Sequence, residues 1–456
     1  MNAPLRAPTL AERLREQPFQ DYLYAYPHKT SYRPLDPGVP LEQAWADEPT
    51  DALFLYIHVP FCGVRCGFCN LFTASNPRDD LVERWLAALE REAAAVRRAL
   101  PTARFARFAL GGGTPTHLTA GQLERVLDLA ESLGADLPSI PAGVETSPDT
   151  ATPDRLALLR GRGVDRISMG VQSFREAETK AALRPQRTRH VLAAIDAIRT
   201  AGFPTLNLDL IYGLPGQTFC SWADTLDSAL ACSPEELFLY PLYVRPGTGL
   251  GVQATRRGGS ARAPGALPIT TDDRRPQLHR RALDTLTEAG FEQRSLRFFR
   301  HRNAPAPGGD DYACQRDGMV GLGVGARSYT RGLHYASRYA VGARPVRALI
   351  DDYAARTDFD RATWGIQLDA TEQQRRFAIL SLLHVDGLDA EAFAARFDTP
   401  VRHALPQLVE LTERGLAAWD DGVLRLTAAG LERSDTIGPW LITDRVRTRM
   451  LAAEVA

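Results

Sequence analysis

Three cysteines, Cys62, Cys66 and Cys69, follow directly on an apolar run from Leu53 to Pro60 (LFLYIHVP). The spacing C-x3-C-x2-C puts three thiolates on one short loop. Thiolates bind soft metals and iron–sulfur clusters, and a structural zinc site or a fully ligated cluster normally takes four protein ligands. With only three, one iron of a cubane cluster stays open for a small molecule. A zinc ion completed by a distant His, or three unrelated thiols, would fit the same spacing. The loop leaves its strand where the first βα loop of a barrel enzyme would begin, and such loops collect catalytic groups.

Four more segments carry chemistry. Phe108 to Thr116 reads FALGGGTPT; three glycines let the backbone approach a ligand with its N–H and C=O groups unobstructed, although a tight turn would also use them. Glu145 stands at a strand end, where a carboxylate can accept charge-assisted hydrogen bonds from an ammonium group or bonds from sugar hydroxyls; a solvated strand-end acid is the plainer alternative. Gln172, in the Arg166–Phe174 segment, offers a donor and an acceptor, and Arg184 after it can hold a carboxylate bidentately. In Asn207 to Gly216 (NLDLIYGLPG) alternation puts Asn207, Asp209 and Ile211 on one face, so Asn207 and Asp209 point inward. Polar residues facing inward from an apolar strand mark a ligand or a water-filled barrel centre. His58 reads as packed, and Cys220, Cys232 and Cys314 as buried structural thiols. Cys314 lies close enough to the expected barrel mouth for a substrate role.

These residues need a scaffold, and the chain supplies a strand–helix alternation. Apolar strands are expected at 53–59, 105–110, 142–146, 165–171, 205–212 and 237–243, with helices at 79–100, 120–133, 154–162, 188–201 and 217–231. Thr119, Thr152-Pro153 and Thr188 are the expected helix starts. Such alternation means parallel βαβ units, and six strands predict an α/β fold: a partial (β/α)6 TIM-like barrel over 53–260. Residues 1–52, rich in Tyr and Pro, form an N-terminal arm or a lid carrying Tyr24, Tyr26 and His28. Residues 260–266 read as a linker, 271–289 as a helix and 292–299 as a strand, within an extension (261–369) that lines the active site. Residues 370–456 predict a small α+β winged-helix-like domain with a packing or capping role.

The chain has 456 residues, 44% of them apolar, and a net charge of −1. No basic stripe predicts nucleic-acid binding, no apolar run reaches membrane-spanning length, and the N-terminus lacks a secretion h-region. Six cysteines in so long a chain make no disulfide framework. A cytoplasmic monomer is expected.

Tyr56 to Cys62 (YIHVPFC), GGGTPT, the Arg166–Phe174 segment and Asp209 to Gly216 (DLIYGLPG) together resemble the oxygen-independent coproporphyrinogen III oxidase group of the radical S-adenosylmethionine (SAM) superfamily. The likeness runs from about 53 to 250 and returns at Leu322 to Tyr329 (LGVGARSY) and in the C-terminal domain. It implies a [4Fe–4S] cluster on Cys62, Cys66 and Cys69 and two bound SAM molecules. Tyr56, Gly112 and Glu145 would contact the cluster-bound SAM, with Tyr56 and Glu145 as catalytic residues. Phe68, Gly113, Thr114, Gln172, Arg184 and Asp209 would contact the second SAM, and Tyr243 and Tyr329 occupy lining positions. The implied activity is reductive cleavage of SAM to a 5'-deoxyadenosyl radical that modifies a small organic substrate, with a flavodoxin- or ferredoxin-like electron donor. One departure bears on substrate: Leu71 stands where the decarboxylating oxidases carry a further cysteine. Relatives sharing the barrel include class C radical SAM methyltransferases and heme-binding chaperones. The expectation is therefore a radical SAM oxidoreductase or C-methyltransferase, with a heme chaperone as the alternative and a DNA-binding regulator as the weakest reading.

Overall fold

The computed structural model describes residues 8–16, 18–19, 23, 25–256, 273–306 and 318–453. Six strands, Leu53–Val59, Phe105–Gly112, Ala142–Thr146, Arg166–Gln172, Thr205–Tyr212 and Glu236–Pro241, lie side by side in sequence order, each parallel to the next. Their alternation sorts the side chains. Leu55, Ile57, Leu110, Val144 and Ile167 join one core with Leu81, Trp85 and Leu123 of the covering helices, while Tyr56, His58, Glu145, Ser168, Asn207 and Asp209 take the other face. The helices are Asp79–Ala99, Ala120–Ser132, Pro153–Gly161, Thr188–Thr200 and Phe219–Ala231. Thr119 and Thr218 each close a capping box at a helix start. Thr188 is no cap: it lies inside its helix, and its hydroxyl donates to the Phe174 carbonyl at 2.8 Å.

Beyond the six, the sheet grows on both sides to thirteen strands. Met319–Leu322 adds a seventh parallel strand beside the first, followed by antiparallel strands Arg327–Tyr329, Leu333–Ala336 and Arg361–Gln367, with Arg33–Pro40 outermost. The single strand expected at 292–299 is a hairpin, Phe291–Gln293 with Phe298–His301, the second limb pairing antiparallel to the sixth barrel strand. Ser295 makes the turn: its hydroxyl accepts the N–H groups of Arg297 and Phe298 at 3.4 and 3.2 Å. The expected linker at 260–266, Cys314 and Tyr24 lie outside the described residues. Cys220, expected to be buried, is exposed in the first turn of its helix.

From Ala370 the chain makes helix Ala370–Leu382, strand Leu388–Asp389, helix Ala390–Phe397, further short helices and a hairpin of Ala417–Asp420 with Val423–Leu426. This helix–strand–helix–hairpin order is that of a winged helix. Its core of Phe377, Phe393, Leu411 and Leu424 also takes in Leu10, Leu23, Tyr26 and Tyr32 from the start of the chain. The Tyr26 hydroxyl donates to the buried carboxylate of Glu372, which also accepts from Thr443 Oγ1 at 2.7 Å and Arg445 Nε at 3.1 Å. Against the barrel, Asp435 accepts from Arg297 at 2.6 Å and from the Tyr243 hydroxyl. Among the described residues no helix is long and apolar enough to cross a membrane.

Candidate functional site

The cysteine loop closes on itself. Phe61–Cys62 pairs with Ala74–Ser75, and the Ala74 N–H reaches the Pro60 carbonyl at 2.8 Å. Within the loop the Cys69 N–H bonds the Cys66 carbonyl at 3.1 Å. Gly67 is wedged between two neighbours: a Cβ there would sit 2.8 Å from the Ala182 carbonyl oxygen. Each sulfur has a donor. The hydroxyls of Thr73 and Thr114 stand 3.1 and 3.4 Å from Cys62 Sγ, Arg184 Nη1 is 3.1 Å from Cys66 Sγ, and the Leu71 N–H serves Cys69. Burial and the neighbouring thiols push Cys69 up to about 12, and burial raises Cys62 as well. Thiols in such a setting ionise when a metal centre supplies positive charge. Among the described residues no three His, Cys, Asp or Glu side chains form a group able to hold a single ion. Three thiols on one short loop, each beside a hydrogen-bond donor, are the soft ligand set that an iron–sulfur cluster takes.

Beside the loop, each glycine of the triplet answers to a different neighbour. A Cβ on Gly111 would lie 2.9 Å from the Glu145 carboxylate, one on Gly112 would lie 2.7 Å from the His58 ring, and one on Gly113 would lie 2.5 Å from the Phe61 carbonyl oxygen. Gly112 also needs its φ of 113°, which L side chains rarely adopt. Its N–H donates to Glu145 Oε2 at 3.0 Å. His58 sits behind the strip: its Nε2 bonds the Phe72 carbonyl at 2.8 Å and its Nδ1 meets the Tyr56 hydroxyl at 3.2 Å. Burial holds this imidazole down to about 4, so the neutral ring donates from Nε2 and accepts from Tyr56.

The barrel interior is polar. Glu145 reaches water there although protein surrounds it; burial, then the Asp209 charge, push it up to about 7. Burial likewise pushes Asp209 up to about 6, against the lowering effect of its hydrogen bond from Asn207 Nδ2 at 2.8 Å. The same amide group donates to Ser168 Oγ at 2.7 Å, and Asn207 Oδ1 is buried without a protein partner. Arg166 holds Glu236 at 2.7 Å and lends positive charge to both Glu145 and Asp209. Gln172 ends the fourth strand in the left-handed region, φ 68°, at a register shift against the fifth strand. Arg184 is not a free clamp: besides Cys66 it donates to the Gly170 carbonyl at 2.7 Å and to Gln186 at 3.3 Å.

Cys62, Cys66, Cys69, Gly112, Gly113, Thr114, Glu145, Gln172 and Arg184 are thus brought to the ends of the first four strands, with Asp209 below them. Phe68 packs into a small apolar cluster with Ile211 and Leu242. Tyr243 turns its hydroxyl to Asp435 and Arg297. Tyr329 is buried with its ring 4.4 Å from His334, in a cluster with Ala25, Met319 and Tyr56. Two residues with parts here were missed in sequence. Arg166 shares the inward alternation with Ser168 and could have been found that way; the lone hydroxyl of Thr73 gives no sequence signal.

Comparison with known proteins gives two family matches: the radical SAM superfamily over residues 56–229 and the HemN C-terminal domain over 368–432. The chain is 30% identical over 295 residues to the heme chaperone HemW of Mycobacterium tuberculosis, covering 62% of this chain and 71% of that protein. It is 27% identical over 438 residues to the oxygen-independent coproporphyrinogen III oxidase of Escherichia coli, covering 90% and 91%. The solved structure of the Escherichia coli coproporphyrinogen III oxidase (HemN), a radical SAM enzyme, superposes with a TM-score of 0.75 at 23% identity over 92% of this chain and 96% of that one.

Proposed function

We propose, because this chain belongs to the radical SAM superfamily and within it to the family of oxygen-independent coproporphyrinogen III oxidases and heme chaperones, that it is an enzyme cleaving SAM reductively to modify a small organic substrate. When bound, a [4Fe–4S] cluster supplies the electron that splits SAM and releases a 5'-deoxyadenosyl radical. The carrying observation is three cysteine sulfurs, each with a hydrogen-bond donor, opening beside a bare glycine strip and the Glu145 carboxylate. Cys62, Cys66 and Cys69 would hold the cluster. Gly112 and Gly113 would present bare backbone to SAM, and Glu145 would take its ammonium group. Gln172, Arg184 and Asp209 support a second SAM at the same mouth, either a methyl donor or a second radical source. The surrounding barrel orients the bound molecules and limits water around them.

Anaerobic reconstitution, addition of SAM and dithionite, and mass spectrometry of the products test this. Expected is 5'-deoxyadenosine that depends on the cluster. Cluster-dependent S-adenosylhomocysteine beside it identifies methyl transfer, and deoxyadenosine alone identifies oxidase-like chemistry. Leu71 in place of the oxidases' cysteine favours one other reading, the heme chaperone. Stoichiometric heme binding with no SAM cleavage would establish that instead.

The Glu145 carboxyl gives a pH signature. Its raised value means the apo protein holds that proton more tightly than the unfolded chain does, so this group's contribution to stability is complete below about 4.5 and is lost as pH rises through about 7. Capture of an ammonium group needs the ionised form, so SAM affinity should rise over that same window. Calorimetric titration of SAM between pH 5.5 and 8 should show the rise in wild type and a flat, weaker profile in Glu145→Gln. Equal slopes in both would remove Glu145 from the ammonium site.

A further inference from the structure

We infer that the outer face of the cysteine loop is the docking surface for an acidic, flavodoxin-type one-electron donor. This rests on reading the loop as a cluster site, and it adds where the electron enters. The first observation is charge. Segments 28–33, 63–72 and 336–347 contain six Lys or Arg residues and no Asp or Glu, in a chain whose net charge is −1. The second is that contacts join these three segments into one surface. Arg65 donates to the Val341 carbonyl, the Tyr339 hydroxyl donates to the Asn70 carbonyl at 2.9 Å, and Lys29 Nζ lies 3.6 Å over the Tyr339 ring. Arg338 and Arg344 are exposed beside them. On the adjoining helices Asp80 is held by Arg78 and Arg84, and Asp351 by Arg84 and by Arg347 of the third segment, which leaves Lys29, Arg33, Arg65, Arg338 and Arg344 to carry the positive charge of the patch.

The third observation is apolar. Among the described residues seven large hydrophobic side chains are exposed, and two of them, Val64 at 54% and Leu71 at 45%, lie on this one loop, flanking Cys66 and Cys69. An exposed apolar centre rimmed by one sign of charge is the anatomy of a transient protein interface, in which charge steers the encounter and the apolar contacts hold it. Cys66 and Cys69 belong to this same loop, between Val64 and Leu71, so a donor seated there has a short path to their thiols. In the step itself the donor's anionic flavin hydroquinone would give up one electron and become the neutral semiquinone, with no proton released, and that electron is the one a bound cluster would accept.

The test uses a recombinant bacterial flavodoxin as probe and the full chain carrying Arg338→Glu and Arg344→Glu. Arg344 is in the first turn of helix Ala343–Ala355, where an acid suits the helix dipole; Arg338 gives up a ring contact with Trp364. Binding of oxidised flavodoxin, measured by interferometry, needs neither cluster nor SAM. It should weaken at least tenfold in the variant, and wild-type binding should fall steeply between low and high salt. Bleaching of the reconstituted protein by flavodoxin hydroquinone should slow by a similar factor, while bleaching by dithionite stays unchanged. A control with Arg160→Glu and Arg414→Glu, far from the loop, should bind as wild type. Docking elsewhere is the conclusion if the Arg338/Arg344 variant binds and bleaches as wild type, or if the control weakens equally. Duplex DNA held by the patch while flavodoxin is not would also overturn it. Failure of SAM cleavage with dithionite would count against the enzyme reading, and the binding arm would still decide the docking surface.

Discussion

Cys66→Ala should remove the broad visible absorbance of the reconstituted protein and bring 5'-deoxyadenosine formation down to the cluster-free background. The expected effect is all-or-none because the loop has no spare ligand. Among the described residues the other free cysteines are Cys220 and Cys232, on and just after a covering helix, and His58 commits both ring nitrogens to Tyr56 and Phe72. Cys66 is also the sulfur that Arg184 meets at 3.1 Å, so its loss frees the guanidinium that ties the loop to the fourth strand through the Gly170 carbonyl. Cys220→Ala is the matching control and should change neither signal. Iron and sulfide content measured beside the spectra separates loss of the cluster from loss of turnover. A Cys66→Ala protein that keeps its cluster and cleaves SAM would refute the ligand assignment.

The second large effect belongs to stability. Asp435→Ala should cost about 3–5 kcal/mol, because it removes the partner of a buried guanidinium. Arg297 and Asp435 side chains are only 5% and 2% exposed, and their oxygens and nitrogen meet at 2.6 and 2.7 Å. The triad they form with Tyr243 joins the end of the barrel, the Phe291–His301 hairpin and the C-terminal domain. Its loss should therefore appear as undocking: a lower urea midpoint, and new proteolytic cuts between the barrel and the last 85 or so residues. Asp435→Asn, which keeps an acceptor, should lose roughly half as much. Tyr243→Phe should follow the same docking signal, by about 1 kcal/mol, more than it changes SAM affinity. Unchanged urea midpoints in all three variants would show that the triad holds nothing together.

Much of this molecule can be read from its sequence because its strands are apolar runs with clear punctuation. Leu53–Val59, Ala142–Thr146 and Thr205–Tyr212 match their expected bounds, and the covering helices lie within two residues of theirs. The hairpin at 291–301 escaped because Arg294 to Arg297 holds no Gly or Pro; one serine hydroxyl makes the turn. The seventh parallel strand escaped because Met319–Leu322 is four residues long, too short for a period. In the site, the cysteines, the glycine triplet, Glu145, Gln172 and Asp209 announce themselves by type and position. Arg184 could be named but its partner could not, since an arginine suggests a carboxylate before a thiol. Nothing in the local sequence marks Glu372 and Asp435 as buried acids. Only their partners, contributed by distant segments, make burial tolerable.

Tyr26 donates to Glu372, 346 residues further along the chain, and Leu10 and Leu23 share that distant core. On the ribosome the first residues therefore emerge long before the surface that receives them. At about 5–20 residues per second the wait is on the order of 20–70 s. All six barrel strands and the cysteine loop are translated within it. The nascent barrel can thus close around its thiols while the two ends of the chain are still unfastened. The clasp cannot form before that point, so the interval before it is when an assembly factor has its freest approach to the loop.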